Sequence, residues 1–438
     1  MRVALHTHGC RLNQSETDAM EAALVAAGHD IADGPEDAEV YVLNSCTITH
    51  QADADARASI RRAKRRNPAV RVLVTGCYAN GDPEAVAAMD EVDGVLGNGE
   101  KDALTDALSR LKPAVAAPNA FVQVTALKKR TTFTALAAAT PRRRTRSLLK
   151  VQDGCNYRCS FCIVPQVRGR SRSLTIEDVV AQARSLVDAG APEIVLTGIH
   201  LGTYGRDLRP RVRLADLVAA ILPVLGPKDT GTRLRLSSLD PHEVDDDLIA
   251  LVAEHAPQVC RYFHLPVQSG DPQVLRAMRR GHTAEDFAAL TAKLAAKIPG
   301  VGIGTDVIVG FPGETDAAFE NTYALLRDAP VAYHHVFTYS IRKGTAAATM
   351  PDQVPPAVKA ARNKALRELS HRQTEAFAAG FEGQSLDAVI ERGRGAHPMA
   401  LADNYVRVPL VEGRPSVGER TTVDIERRDD SRVGVGPA

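Results

Sequence analysis

The chain has 438 residues, 44% of them hydrophobic and 24% charged, with a formal net charge of +1. A chain this long buries large cores and divides into two or three domains, and its near-neutral balance does not predict a nucleic-acid partner from bulk charge. There is no run of about 18 apolar residues and no charged-then-apolar start, so membrane insertion and export are not expected and a cytoplasmic protein is. The seven cysteines are odd in number and unevenly spaced. They fit metal-bound thiols in a reducing compartment better than a disulfide framework.

The first 115 residues alternate strand and helix. Apolar runs at 3–7, 40–44, 70–76 and 94–98 predict strands, and helical patterns fall at 15–27, around 52–66, from Pro83 and over 101–111. Strands separated by single helices predict a parallel sheet covered on both faces, with ligand-binding loops gathered at its carboxyl edge. Cys10, Cys46 and Cys77 each follow the end of a different predicted strand. They read either as three ligands converging on one metal cluster or as small buried hydrophobes. Gly9 and Gly76 precede two of them and permit a tight turn. Residues 57–66 hold six basic side chains (Arg57, Arg61, Arg62, Lys64, Arg65, Arg66) and no acid. A second basic set comprises Lys128, Lys129, Arg130, Arg142, Arg143, Arg144 and Arg146. Each set reads as a phosphate contact or as a solvated face or linker.

Residues 113–145, rich in Pro, Ala, Thr and Arg, predict a linker with one strand near 121–124. A second alternating block follows, with strands at 147–151, 193–198, 233–237, 262–266, 303–310 and 334–340 and helices such as 175–189 and 245–255. Six β/α units predict a partial or open barrel whose chemistry sits at the carboxyl ends of its strands. After the first of those strands comes GCNYRCSFC, with Cys155, Cys159 and Cys162 inside eight residues. One short loop can aim three thiolates at a single iron–sulfur centre, and a 4Fe–4S cube held by three cysteines leaves one iron open. A structural zinc site is the alternative, although zinc sites usually pair two knuckles and no second knuckle is present. A helix is predicted at 356–378. From 383 the short pieces SLDAVIE, YVRVPLV and RTTVDIE predict a small β-barrel.

The C-x3-C-x2-C spacing, with Phe161 before the last cysteine, resembles the radical S-adenosylmethionine (SAM) superfamily. HGCRLNQSET, NSCTIT and GCYA look like the three cysteine motifs of the methylthiotransferase N-terminal domain. DGCNYRCSFCIVPQVRGRSRS, LPVQSG and TDVIVGFPGET look like the radical SAM domain of the same family. The resemblance implies an α/β chain with a methylthiotransferase N-terminal domain at 1–115 and a linker at 116–145. A partial (β/α)6 TIM-like radical SAM barrel at 146–378 and a TRAM-like RNA-binding β-barrel at 379–438 would follow. TGIHLGTYG (197–205) is similar to the branch that acts on N6-threonylcarbamoyladenosine in tRNA, whereas LADNYVRV departs from the longer family pattern.

What the family would bring is two 4Fe–4S clusters, one on Cys155, Cys159 and Cys162 and an auxiliary one on Cys10, Cys46 and Cys77. SAM would be cleaved to a 5′-deoxyadenosyl radical that removes the C2 hydrogen of an adenine at position 37, beside the anticodon, and a second SAM would supply the methyl of the 2-methylthio product. Thr197 and Gly198 match the superfamily position that meets SAM; Phe161, Ser237, Gln268 and Asp306 are the other expected SAM contacts, and read alternatively as a core aromatic and satisfied structural polar groups. The expected partners are the tRNA anticodon loop, an external electron donor and a sulfur source. Alternatives are the isopentenyladenosine branch, the branch acting on a ribosomal-protein aspartate, and a non-catalytic iron–sulfur RNA-binding protein. His264, His334 and His335 read as hydrogen-bonded strand histidines or else as catalytic or pocket residues, Cys260 as packing, and 310–313 as a turn shaping the pocket wall.

Overall fold

Residues 40–45 and 71–76 are almost wholly buried, without polar alternation, as expected for strands covered on both faces. In the computed structural model they are the centre of a fully parallel sheet. Its strands are β1 (Arg2–Thr7), β2 (Asp30–Ala32), β3 (Val40–Ser45), β4 (Arg71–Gly76), β5 (Gly94–Leu96) and β6 (Phe121–Gln123), in the order β2-β1-β3-β4-β5-β6. The structure describes residues 1–111, 120–125, 127, 133, 136–393, 397–410, 415–427 and 433–435. Lys128, Lys129 and Arg130 of the second basic set lie outside them. The edge strand β2, only three residues long, is too short to leave a periodic signal in the sequence. β6 is the strand expected near 121–124; it pairs with β5, so the segment read as a linker completes the first sheet.

The helices of this layer are α1 (Arg11–Ala26), α2 (His50–Arg66), α3 (Cys77–Gly81), α4 (Pro83–Ala87) and α5 (Leu104–Arg110). α1 starts four residues before the expected boundary, directly after Cys10. α2 is capped by Thr49, whose side chain accepts the Ala52 N–H.

The second block gives β7 (Ser147–Lys150), a small hairpin of β8 (Gln152–Asp153) and β9 (Arg172–Ser173), then β10 (Glu193–Thr197), β11 (Arg233–Leu236), β12 (Tyr262–His264), β13 (Gly302–Val309) and β14 (Tyr333–Thr338). β7, β10 and β11 form one parallel sheet and β12, β13 and β14 another. A parallel bridge from Leu234 to Val259 joins them. The result is the expected partial (β/α)6 barrel, open between β7 and β14. The short α6 (Val164–Arg168) follows the cysteine loop. Around the outside run α7 (Ile176–Asp188), α8 (Leu214–Ile221), α9 (Asp246–His255), α10 (Pro272–Met278), α11 (Ala284–Lys297), α12 (Asp316–Asp328) and α13 (Pro356–Ala379), the last against β14. Ile194, Leu196, Leu234, Leu236, Phe263 and Ile303 pack in the helix-covered core. Neighbours such as Glu193, Arg235, His264 and Asp306 alternate with them and face the lumen.

The tail is an antiparallel sheet of β15 (Ser385–Glu391), β16 (Met399–Ala402), β17 (Arg407–Pro409), β18 (Arg420–Arg427) and β19 (Val433–Val435), ordered β17-β16-β15-β18-β19. Its edge strands approach each other, curling it into a half-barrel consistent with the expected TRAM-like domain. Its 402–406 loop plugs the base of the large barrel. There a Cβ on Gly302 would lie 1.9 Å from the Asn404 carbonyl oxygen, so only glycine admits the loop. No helix among the described residues is long and apolar enough to cross a membrane.

Candidate active site

β1, β3 and β4 are neighbours in one parallel sheet, so the residues after them share one edge. Cys10 stands at the N-cap of α1, Cys46 directly follows β3, and Cys77 opens α3 after β4. The glycines before two of them are required: a Cβ on Gly9 (φ +103°) would lie 2.7 Å from Cys46 Cβ, and one on Gly76 (φ +96°) 2.3 Å from the Ser45 carbonyl oxygen. Each sulfur receives an N–H. Cys10 takes the backbone of Asn13, Cys46 that of Ile48, and Cys77 takes Arg168 Nε at 3.4 Å. Burial, with the neighbouring Cys77, pushes the Cys46 thiol up to about 12.

Arg168 comes from the other domain, at the end of α6, and its side chain is fully buried. It donates to Glu16 Oε1 at 2.6 Å and Oε2 at 3.0 Å and to Asn13 Oδ1. Lys101 also binds Glu16, and Lys150 bridges Glu16 at 2.7 Å and Asp153 at 2.8 Å. Arg172 lies 3.6 Å from Asp153. Burial opposes ionisation of Glu16, but Arg168, Lys101 and Lys150 hold its carboxyl well below the usual carboxylate range. Four buried cations thus meet two carboxylates beside the Cys10–Cys46–Cys77 edge, a positive surplus suited to thiolates.

The second trio follows β8 at the carboxyl face of the barrel. Cys155 Sγ accepts the Tyr157 N–H at 3.4 Å and lies 3.3 Å from His200 Nδ1. Arg280 reaches Cys159 Sγ at 3.6 Å, and the Val164 backbone serves Cys162. In both trios every sulfur has an N–H donor, which matches what iron–sulfur thiolates use.

Behind this loop is a polar ring that sequence reasoning missed. His200 Nε2 lies 2.8 Å from Glu243 Oε2, a charge contact rather than an aligned hydrogen bond, and Tyr157 donates to Glu243 Oε1 at 2.9 Å. Asp240 gathers His242 Nδ1 at 2.7 Å, His282 Nδ1 at 3.1 Å and Arg280. Burial opposes the charged form of His200, yet Cys155 and Glu243 raise it to about 9. His200 and Arg168 lay within the quoted motifs, whereas Asp240, Glu243 and Arg280 carry no local signal.

Phe161, Gln268 and Asp306 meet Cys162 around a cavity of about 220 Å³ that also borders Ile48, Thr49 and Tyr339. Burial raises the Asp306 carboxyl, but His264 Nε2 at 2.9 Å and His335 Nδ1 at 3.2 Å hold it below its usual range. Thr197, Gly198 and Ser237 stand apart from this lining. The Thr197 hydroxyl donates to the Val195 carbonyl, Gly198 packs on Gln152, and buried Ser237 Oγ has no partner among the described residues. An orphaned hydroxyl at a strand end suits a ligand contact. His334 is 2.7 Å from the Leu366 carbonyl, away from the lumen, and Cys260 packs in the barrel base. In α2, Arg61, Lys64 and Arg66 face Glu91, Asp93 and Glu36 at 3.6, 3.2 and 3.7 Å, which matches much of that basic run internally.

Comparison with known proteins agrees with this arrangement. Residues 149–326 match the radical SAM superfamily, and 2–97 match the uncharacterized protein family UPF0004. The chain is 37% identical over 429 residues to the threonylcarbamoyladenosine tRNA methylthiotransferase MtaB of Bacillus subtilis (strain 168), covering 97% of this chain and 93% of that one. The chain belongs to the radical SAM methylthiotransferase family. This methylthiotransferase is also 35% identical to the tRNA-2-methylthio-N(6)-dimethylallyladenosine synthase of Moorella thermoacetica (strain ATCC 39073 / JCM 9320), over 90% of this chain and 88% of that relative. Its fold is shared by the radical SAM methyltransferase TsrM from Kitasatospora setae (TM-score 0.56, 17% identity, 79% of this chain and 77% of that one). Membership of the radical SAM superfamily carries SAM and a 4Fe–4S cluster as cofactors of the methylthiotransferase.

Proposed function

We propose that the protein methylthiolates C2 of N6-threonylcarbamoyladenosine at position 37 of tRNA, in the cytoplasm, taking electrons and sulfur from external donors. The observation that carries this reading is the pairing of two three-cysteine edges on two sheets, joined by Arg168, which follows one trio in sequence and donates to Cys77 of the other. In this reading Cys155, Cys159 and Cys162 hold the SAM cluster, and Cys10, Cys46 and Cys77 hold a second 4Fe–4S cluster. Residues 1–115 carry the latter, 146–378 form the SAM domain, and 379–438 contact RNA.

When bound, the clusters and SAM supply the one-electron chemistry that an unreactive aromatic C–H demands. The protein's residues do the positioning. Phe161 gives an apolar wall beside the cluster loop. Asp306, held ionised between His264 and His335, accepts hydrogen bonds from a ribose or ammonium group. Gln268, Thr197, Gly198 and Ser237 complete the ligand's polar surroundings. Arg280 and His200 donate toward the cluster sulfurs and restrain their loop. The nearby similarity to dimethylallyladenosine and threonylcarbamoyladenosine enzymes makes the N6 substituent the point to test. Nucleoside analysis of tRNA from cells lacking the protein should show unthiolated threonylcarbamoyladenosine. Accumulation of isopentenyladenosine, or label transferred to ribosomes instead of bulk tRNA, would reject this substrate.

A further inference from the structure

Arg11 immediately follows Cys10, yet its side chain turns away from its own domain. Its guanidinium donates to the Tyr405 hydroxyl at 3.2 Å, at the barrel base. Among the described residues no carboxylate lies within ion-pair distance of Arg11, although it is only partly exposed. Its neighbours differ. Arg143 pairs with Asp33 at 3.0 Å, Arg144 with Asp18, Arg146 with Glu391 at 2.7 Å, and Arg407 with Glu391 at 3.7 Å. These arginines, Arg11 and Arg392 line a cavity of about 220 Å³ in which Glu391 is the one carboxylate among the described residues. Burial raises the Tyr405 phenol, but Arg11, Arg407, Arg146 and Arg235 together bring it below its ordinary value. The cavity is therefore an oxyanion environment whose wall includes a guanidinium with no carboxylate partner among the described residues.

Tyr405, the hydrogen-bond partner of Arg11, begins a run of aromatic rings. Tyr405 stacks on Tyr262 (centroids 4.4 Å, 18°) and Tyr333 (5.5 Å, 19°), and the Tyr333 and His335 rings are 5.1 Å apart. His335 contacts Asp306, on the wall of the cavity beside Cys162. The partly exposed Tyr333, Tyr405 and His335 offer a planar base π-surface, and Arg11 stands at the Tyr405 end of that run.

We propose that Arg11 binds the carboxylate carried by the N6 substituent of the target adenine, and so selects an anionic substituent over an apolar one. This rests on the threonylcarbamoyladenosine reading above. A guanidinium without a counter-ion is held partly out of water until a carboxylate meets it in the two-pronged geometry that arginine favours. An apolar substituent leaves it unpaired, and a site built to bind a polar group rejects ligands lacking it. The backbone phosphate of RNA offers similar oxyanion chemistry and is the competitor to separate.

The test uses reconstituted holoprotein, without reductant for binding and with reductant and SAM for turnover, and one tRNA prepared with either threonylcarbamoyladenosine or plain adenosine at position 37. Wild type should bind the modified tRNA about tenfold more tightly. Arg11→Gln should erase that difference, leave affinity for the plain tRNA and iron content unchanged, and lower kcat/KM on the modified tRNA by about tenfold. Arg11→Lys should restore part of the preference. The proposal is overturned if Arg11→Gln weakens both tRNAs equally with a shallower salt dependence, which marks a phosphate contact, or if the preference survives. Failure of the underlying reading is seen separately in the wild type: no 2-methylthio product from the modified tRNA, or product from isopentenyladenosine tRNA instead, removes both.

Discussion

Arg168 shows what a single residue does at the domain junction. A guanidinium with no exposed surface is costly unless every donor is matched, and here Glu16, Asn13, Asp153 and Cys77 share the task. Arg168→Met keeps most of the volume and removes all the N–H donors. Glu16 retains Lys101 and Lys150, so the expected loss in denaturant stability is about 3 kcal/mol, at the low end for a broken buried pair. Under the two-cluster proposal, iron in anaerobically purified protein should also fall from about eight per chain toward about four. Iron held at the wild-type amount would show that Cys77 needs no donor from the barrel domain. The six proposed cysteine ligands were legible because strand ends and close spacing mark them. Arg168 was not, since its partners lie 152 and 91 residues away in sequence.

At the scale of elements, β11 fastens the C-terminal sheet to the barrel. Arg233 Nε donates to Glu193 Oε2 at 2.6 Å, and its other nitrogens reach Asp387 Oδ1 at 2.8 Å and the Leu401 carbonyl at 2.7 Å. Arg235 donates to Glu193 Oε1 at 2.7 Å and to the carbonyls of Asp403 and Ala402 at 2.9 and 3.0 Å. Burial by itself would raise the Glu193 carboxyl, but Arg235, Arg233 and Arg146 hold it far below its ordinary value. A depressed folded-state pKa gives stability that is fully present above the unfolded value, about 4.3 for Glu, and is lost as pH falls toward the folded value. Wild type should therefore weaken progressively below about pH 4.3. Glu193→Gln should be less stable by about 3–5 kcal/mol at neutral pH and lose this part of the acid dependence. Denaturant titrations at neutral and acid pH measure both, and an unchanged acid limb would assign the effect to other carboxylates. The RLRL run of β11 was legible as a strand, but nothing in it said that its charged face turns inward, because a barrel lumen closed by another domain reverses the usual polar-out pattern.

For the whole molecule, the expectation is a division of labour between two metal sites. Replacing Cys10, Cys46 and Cys77 together by Ala should leave about four irons per chain. Such protein should still form 5′-deoxyadenosine from SAM and reductant while making no methylthio nucleoside. The same change at Cys155, Cys159 and Cys162 should abolish SAM cleavage. Chromatography of SAM products and mass spectrometry of digested tRNA separate the two outcomes. Methylthio product from the first triple variant would refute the auxiliary-cluster assignment.

Read alone, the 438 residues determine the parallel sheet, the open six-stranded barrel and the β-rich tail, because local periodicity and strand–helix alternation are short-range properties. They also place Cys10, Cys46 and Cys77 after neighbouring strands, since β/α topology brings strand ends to one edge. Only the tertiary structure decides the curled plug in the barrel base, the ring around His200 and Asp240, the buried cations beside Cys77 and the unmatched charge of Arg11. Each of these depends on burial and on partners from distant segments, and a side chain's electrostatic role is set by what surrounds it rather than by its neighbours in the chain.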